Sequence, residues 1–423
     1  MNLPKILQNR RNTLMKKMES GVAMITKSAS SPDPLLSDKN LQYLTGNTDE
    51  DTILLLAPKG LTIERFETMR DPELGRGRIV NEVLFLREIS EKEKFIDGKS
   101  EAIESVKEKT SINTIKSLSK FPEILIINLM SESIFWGNIA TKPKLEKPIT
   151  PNNIKINEIR QRFPWIQFRN IAPLIHHMRW IKDPYEIECL RHAFQIHSEI
   201  FERIMKSLKP GVNESVGKAI YEYEINIRDP KSVDSNWHDQ YKSNIIVAAG
   251  KNSAIPHYMD NNQEIKDGDL VLIDGGVEYK GYSSDITRTF PANGKFTDRQ
   301  KELYTIVLEA QKKAIATMRP GTTQRDAHNA VYETFKKHGL DQYGYGICGH
   351  PVGLNIHDAN SWYTNDGPFE PGVVIVIEPF ITLPEEGIGI RIEDGVLITA
   401  DGAEILSGPP KEIDEVEALC ARD

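Results

Sequence analysis

The sequence predicts two unlike halves, an α/β domain followed by a larger α+β domain whose helices pack on a largely antiparallel sheet. Three observations lead there. At 423 residues the chain is too long for one ordinary core. Its first half alternates short apolar runs with helical stretches. Its second half sets paired apolar runs, joined through turn residues, among long amphipathic helices. With 39% apolar residues, five Trp and fourteen Phe, both halves have material for a core.

In the first half, Ile6, Leu14, Met15 and Met18 recur at helical spacing and predict an amphipathic helix. Strands are expected at VAMIT (22–26), TILLLA (52–57) and EVLFLR (82–87). The charged stretch SEKEKFIDGKSEAIESVKEKT reads as helix, and EILIINL (123–129) as a further strand. KPKLEKPITPNN (142–153) is polar and Pro-rich, a surface loop or subdomain joint. The boundary is expected near residues 170–174, giving domains 1–173 and 174–423.

The second half opens on a well-signalled helix. Asp183 can cap it, Pro184 suits its first turn, and Glu186 adds early negative charge. Helices are expected at 184–206, 214–228, 298–318 and 324–338, and strands at 244–249, 269–275, 282–290, 373–378, 388–392 and 395–399.

Composition narrows the partners. The chain carries 53 Lys+Arg against 61 Asp+Glu, a net of −8, so it lacks the basic footprint of a nucleic-acid or anionic-membrane binder. No apolar stretch reaches the length of a membrane span, and the N-terminus has no signal-peptide core. Cys189, Cys348 and Cys420 lie far apart without paired spacing, which predicts a reducing, cytoplasmic location.

The chemistry is carried by acids in unexpected places. In VLIDGGVEYKGYSSDITRTF an apolar run ends on Asp274, and Asp285 returns eleven residues later in a second strand-like stretch. Taken as a hairpin symmetric about 279–280, this places the two acids opposite one another on one face. In VVIVIEPFITLPEEGIGIRIEDG, Glu378 and Glu393 have their midpoint between Glu385 and Glu386, inside a plausible turn, and would also face each other. An ordinary turn accounts for any one of these acids alone, and Asp394-Gly395 is itself turn chemistry. Two matched hairpins, each opposing acids at apolar depth, is a conflict of the kind that marks functional sites. Two divalent cations would balance four carboxylates. Oxygen-rich sites suit Mn²⁺ and Mg²⁺, and a histidine admits Zn²⁺, Co²⁺ or Fe²⁺. The histidine candidate is His350 in GHPVGLNIHD, with His357 seven residues on and Gly353 between them.

These residues resemble the pita-bread metallopeptidases, the family of methionine aminopeptidase, Xaa-Pro aminopeptidase (aminopeptidase P) and prolidase. The matching blocks include DGDLVLID, YKGYSSDITRTFPANGKFT, HPVGLNIHD, IEP, GIGIRIEDG and PPKEIDEVEAL, covering the chain from about Met178 onward. The resemblance implies a C-terminal pita-bread domain binding two metal ions, with Mn²⁺ the first choice, through Asp274, Asp285, His350, Glu378 and Glu393. It implies substrate contact for His257, stabilisation of the tetrahedral intermediate for His357, a proton shuttle for Glu378, and an outer-shell arginine, Arg391, beside the last ligand. RRNTLMKKM, LQYLTGNTDEDTILLLAP and LFLRE resemble the N-terminal domain of aminopeptidase P and prolidase, which methionine aminopeptidases lack.

The implied activity is therefore metal-dependent hydrolysis of the bond between an N-terminal residue and a following proline, by a homodimer or homotetramer. The alternatives are an Xaa-Pro dipeptidase (prolidase), a creatinase-like or organophosphate-cleaving relative, and a non-catalytic peptide-binding protein. One departure stands out. Gly346 occupies the position where this branch usually carries a further histidine, and Phe380 and Thr382 replace its usual Gly and Tyr.

Overall fold

The computed structural model describes residues 2–26, 39–46, 51–63, 78–98, 102–138, 151–228, 233–234, 245–344, 348–358 and 367–421. Gly346 and the polar stretch at 142–150 lie outside them. The chain forms two compact units, Met1–His177 and Met178–Asp423.

The first unit is built on a six-stranded mixed sheet, in the order Ile115–Ser117, Ile79–Leu86, Ile53–Thr62, Val22–Thr26, Ile134–Gly137 and Gln167–Asn170. The three central strands are antiparallel and the outer pairings parallel, as an α/β arrangement requires. The Leu3–Met18 helix buries Leu7, Leu14, Met15 and Met18, and also Arg11. Arg11 is accommodated by donating to Glu82 (2.7 Å) and to the Leu44 carbonyl (2.9 Å).

One expected strand is a helix. Residues 123–129 lie in the Phe121–Leu129 helix, with Pro122 in its first turn. A run this rich in apolar residues fits both the two-residue and the 3.6-residue period, and here Pro122 decides, being suited to a helix start. Asn128 then ties the helix to the sheet edge, accepting from Thr62 N (2.8 Å) and donating to Thr62 O (3.0 Å).

The second unit holds antiparallel sheets flanked by long helices at Pro184–Ser207, Ser215–Ile227, Asp298–Thr317 and Gln324–Lys337. The first of these begins with a full capping box: Asp183 accepts from Glu186 N, and Glu186 accepts from Asp183 N. Two sheets matter for the site. One pairs Ile245–Ala249, Leu270–Gly275 and Ile286–Pro291; the other pairs Gly349–Pro351, Val374–Ile377, Asp394–Ile398 and Ala403–Ile405. A backbone bridge, Thr287 to Glu393, joins them.

The second hairpin has its predicted register. Ile377 pairs Asp394 and Phe380 pairs Arg391, so Glu378 falls opposite Glu393 across the turn at 384–387. The first hairpin departs from expectation. Asp274 faces Thr287, not Asp285, because the turn is Lys280-Gly281 and not 279–280. Both residues are left-handed, with φ of 51° and 88°, as a two-residue hairpin loop of primed type demands. The slip is two residues, so Asp285 stays on the same face as Asp274 but diagonal to it. That diagonal separation of about 7–8 Å relieves part of the repulsion.

Candidate metal centre

The site is a row of side chains across four strands. Asp274 faces Thr287, Thr287 bridges to Glu393, and Glu393 lies opposite Glu378. His350 enters from the neighbouring strand, where it pairs Val376, two residues before Glu378 and so on the same face. The strand expected over 282–290 is interrupted at Ser284-Asp285, between Tyr282–Ser283 and Ile286–Pro291, so Asp285 sits at the start of its strand.

The ligand atoms of Asp285, His350 and Glu393 all lie within 4.8 Å of one another. His350 Nε2 is 3.5 Å from Asp285 Oδ2 and 3.7 Å from Glu378 Oε1. Its Nδ1 lies 3.3 Å from the Pro351 carbonyl; with the proton there, Nε2 is left as a lone pair facing the acids. Asp274 stands apart from that trio, held by Arg391, whose guanidinium Nη2 donates to Asp274 Oδ2.

Four of the five candidates are buried, whereas the Glu378 side chain is 23% exposed. Burial and the neighbouring Asp285, Glu378 and Asp274 hold the Glu393 carboxyl well above the usual range. Burial also raises Glu378, against the pull of His350 and Arg391, and lowers His350. Three of the four carboxylates, Asp274, Glu378 and Glu393, thus share the charge of Arg391. Asp274 Oδ1 and Glu393 Oε1 are buried without a hydrogen-bond partner among the described residues. A buried carboxylate oxygen left so is costly, and the lone pairs point to a hard or borderline cation as the missing partner. The donor set fits divalent metal.

The predicted neighbours fall around this row. His357 is half-buried, and its ring centroid lies 4.0 Å from that of His350. His257 is exposed; crowding by the protein lowers its imidazole pKa, opposed by Asp274 and assisted by Arg391. Arg391, two residues before Glu393 and within reach of its charge, donates to Asp274 Oδ2, while its Nε donates to Thr287 Oγ1 (3.2 Å).

Several residues of the site escaped the sequence reading. Thr287 passes a hydrogen bond on from Arg391 to Glu393 Oε2 (2.7 Å), and its only local signal is its place two residues after Asp285. Asp394 lies fully buried in a strand and not in a turn, paired with Arg288 (2.7 Å) and Lys411. Arg288 in turn donates to the Glu393 carbonyl (2.6 Å), so this buried pair braces the backbone of a candidate ligand from behind.

A family model described as metallopeptidase family M24 matches residues 188–400, the stretch containing every residue of this row. The chain belongs to that family. A second model, the N-terminal domain of aminopeptidase P, matches residues 7–135 of this M24 peptidase. The chain is 32% identical to the Xaa-Pro aminopeptidase of Haemophilus influenzae, over 91% of its own length and 88% of the relative's. It is 33% identical to the Xaa-Pro dipeptidase of Pyrococcus furiosus, over 73% of its length and 83% of that protein's. The solved structure of aminopeptidase P from E. coli aligns over 99% of this chain and 98% of its own, with a TM-score of 0.80 at 28% identity. The fold is thus an aminopeptidase P-type N-terminal domain followed by a pita-bread peptidase domain. No described helix is long and apolar enough to cross a membrane.

Proposed function

We propose that this M24 peptidase releases the N-terminal residue from peptides with proline in second position, as an Xaa-Pro aminopeptidase. The observation that carries the reading is the row from Asp274 to Glu378, with His350 beside it, in a chain resembling Xaa-Pro aminopeptidases across both units. Asp274, Asp285, His350, Glu378 and Glu393 would hold two divalent ions, Mn²⁺ by preference. Bound there, the ions supply Lewis-acid polarisation of the scissile carbonyl and an attacking water that is acidic enough to deprotonate near neutral pH.

The remaining work falls to side chains. The Glu378 side chain keeps access to solvent at the edge of the row, so it is placed to take the water's proton and pass it on to the proline nitrogen. The water oxygen bonds to the carbonyl carbon and the C=O π pair moves onto the carbonyl oxygen; that pair then returns as the C–N bond breaks, and the proline nitrogen leaves with the proton passed on by Glu378. His357 donates to the oxygen on which negative charge develops. His257, at the exposed edge, contacts the substrate near the scissile nitrogen. Asp274, oriented by Arg391, faces the substrate's free ammonium. Proline favours a dedicated site because its tertiary amide offers no N–H for the usual peptide grip.

The dipeptidase reading is kept as a second one by the similarity to the Pyrococcus furiosus protein. A homodimer or homotetramer and a cytoplasmic location complete the proposal; all three cysteines are buried thiols, in keeping with a reducing compartment. The deciding experiment offers metal-stripped protein, with and without Mn²⁺, an Xaa-Pro-Xaa tripeptide, an Xaa-Pro dipeptide and a proline-free tripeptide. Manganese-dependent release of the first residue from the proline tripeptide alone is expected. Preference for the dipeptide would move the assignment to prolidase, and inertness toward both would overturn it.

A further inference from the structure

His257 rides on a connection running from Ala249, the end of an edge strand, to Leu270, the start of the strand it pairs with. One carboxylate, Glu214, holds that connection at its beginning, middle and end. Glu214 is fully buried. Its Oε1 accepts from Ala249 N (2.7 Å) and Asn252 Nδ2 (2.9 Å). Its Oε2 accepts from the Tyr258 hydroxyl (2.9 Å) and Gln263 N (2.9 Å). Its own N–H donates to Gln263 O (2.9 Å). Burial, and then the bond donated to this carboxylate, push the Tyr258 phenol up to about 12.

The far side of the connection is fixed to the second hairpin. Gly389 N donates to Ser253 Oγ (2.9 Å) and Thr382 Oγ1 to Ala254 O (2.8 Å). The approach is so close that a Cβ on Gly389 would meet Ser253 O at 1.8 Å. Arg391 reaches the Pro256 carbonyl at 3.4 Å. His257 therefore sits directly between a residue held by Arg391 and a residue held by Glu214.

We propose that Glu214 is a positioning residue that fixes His257 toward the substrate, an inference resting on the substrate contact assigned to His257 above. Four neutral donors converge on Glu214, and only an acceptor-only group answers all four. A glutamine would turn one oxygen into a donor facing donors, and one end of the connection would come loose. Displacement of a reacting group by about 1 Å costs up to about a hundredfold in rate.

The test compares Glu214→Gln, Tyr258→Phe and His257→Ala, singly and with each of the first two added to His257→Ala. Manganese-loaded full-length protein is assayed for kcat and KM on an Xaa-Pro-Xaa tripeptide, and metal content is measured by elemental analysis. Glu214→Gln is expected to lower kcat/KM by about ten- to a hundredfold with metal content intact. Its loss should divide between kcat and KM as the His257→Ala loss does. In the His257→Ala background its further effect should stay within about twofold. Independent, multiplying losses, wild-type kinetics in Glu214→Gln, or loss of metal would overturn the proposal. Tyr258→Phe removes a single bond and carries the same cycle should Glu214→Gln not fold. Wild-type kinetics in His257→Ala would be a different failure, removing the role of His257 and this proposal with it.

Discussion

Thr287→Val isolates the hydroxyl that couples the two hairpins. The substitution keeps the shape of a fully buried side chain and removes two bonds: the one donated to Glu393 Oε2 at 2.7 Å and the one accepted from Arg391 Nε at 3.2 Å. The main-chain link from Glu393 N to Thr287 O (3.1 Å) is untouched, so the strands stay joined. A hydrogen bond to a charged group contributes about 1.5–3 kcal/mol, and an orphaned buried donor costs about 1–3 kcal/mol. Because the two losses share one atom, their combined effect on the metal-free protein should be about 2–4 kcal/mol. The Thr287 bond also holds the already raised Glu393 pKa down, so its loss makes the proton harder for metal to displace. Outer-shell partners of this kind are worth about 10–100-fold in metal affinity. Chelator-competition titration with Mn²⁺ reads the affinity, and urea unfolding of stripped protein reads the stability. Wild-type metal affinity in a folded Thr287→Val protein would refute the reasoning.

Other perturbations address other parts of the structure. Glu378→Ala should keep the fold and lose about 10²–10⁴-fold in kcat, as judged by circular dichroism and turnover, while His350→Ala should show reduced metal in elemental analysis. Asp358 is buried against Arg179, one residue after His357, with the buried Lys182 amine nearby. Asp358→Asn takes the paired carboxylate from the buried Arg179 and should cost about 3–5 kcal/mol in urea unfolding; a loss under 1 kcal/mol would contradict the pairing. His197 is buried at 0% exposure with its pKa lowered to about 3, by desolvation first and then by Arg288. Its folded value lies below the unfolded value, so the unfolded chain takes up the proton first. The stability it permits is whole above about pH 6.5 and falls as pH drops toward 3, by about 1.4 kcal/mol per unit. His197→Phe should flatten that acid slope in thermal melts, and an unchanged slope would count against it.

What the sequence made legible was local. The second hairpin could be placed to the residue because Pro384 and Gly387 bound a turn whose centre is also the centre of two apolar runs. The first was misplaced by two positions because its turn puts Lys280, a residue with no preference for the left-handed region, at φ 51°. The apolar run at 123–129 carried no period to separate helix from strand, and the weight of Pro122 was missed. The helices of the second unit follow from spacing and capping, while the candidate ligands, in their order, rest on the resemblance to the family. The partners of the ligands do not, because Thr287 with Glu393, Arg391 with Asp274, and Glu214 with Tyr258 meet across 106, 117 and 44 residues. Such contacts depend on which strands become neighbours, and no local pattern encodes that. Arg288 and Asp394 show the same limit: each is an ordinary charged residue in sequence and one half of a buried pair in the fold.

The proposed activity requires that Asp274, Asp285, Glu378 and Glu393 share metal with His350. The most direct measurement titrates metal-stripped protein with Mn²⁺ and records bound metal and Xaa-Pro-Xaa cleavage on the same samples. Activity that is absent without metal and rises with occupancy to a plateau at two ions per chain is the predicted result. Full cleavage by protein shown to be metal-free, or saturating metal without any cleavage, would contradict it.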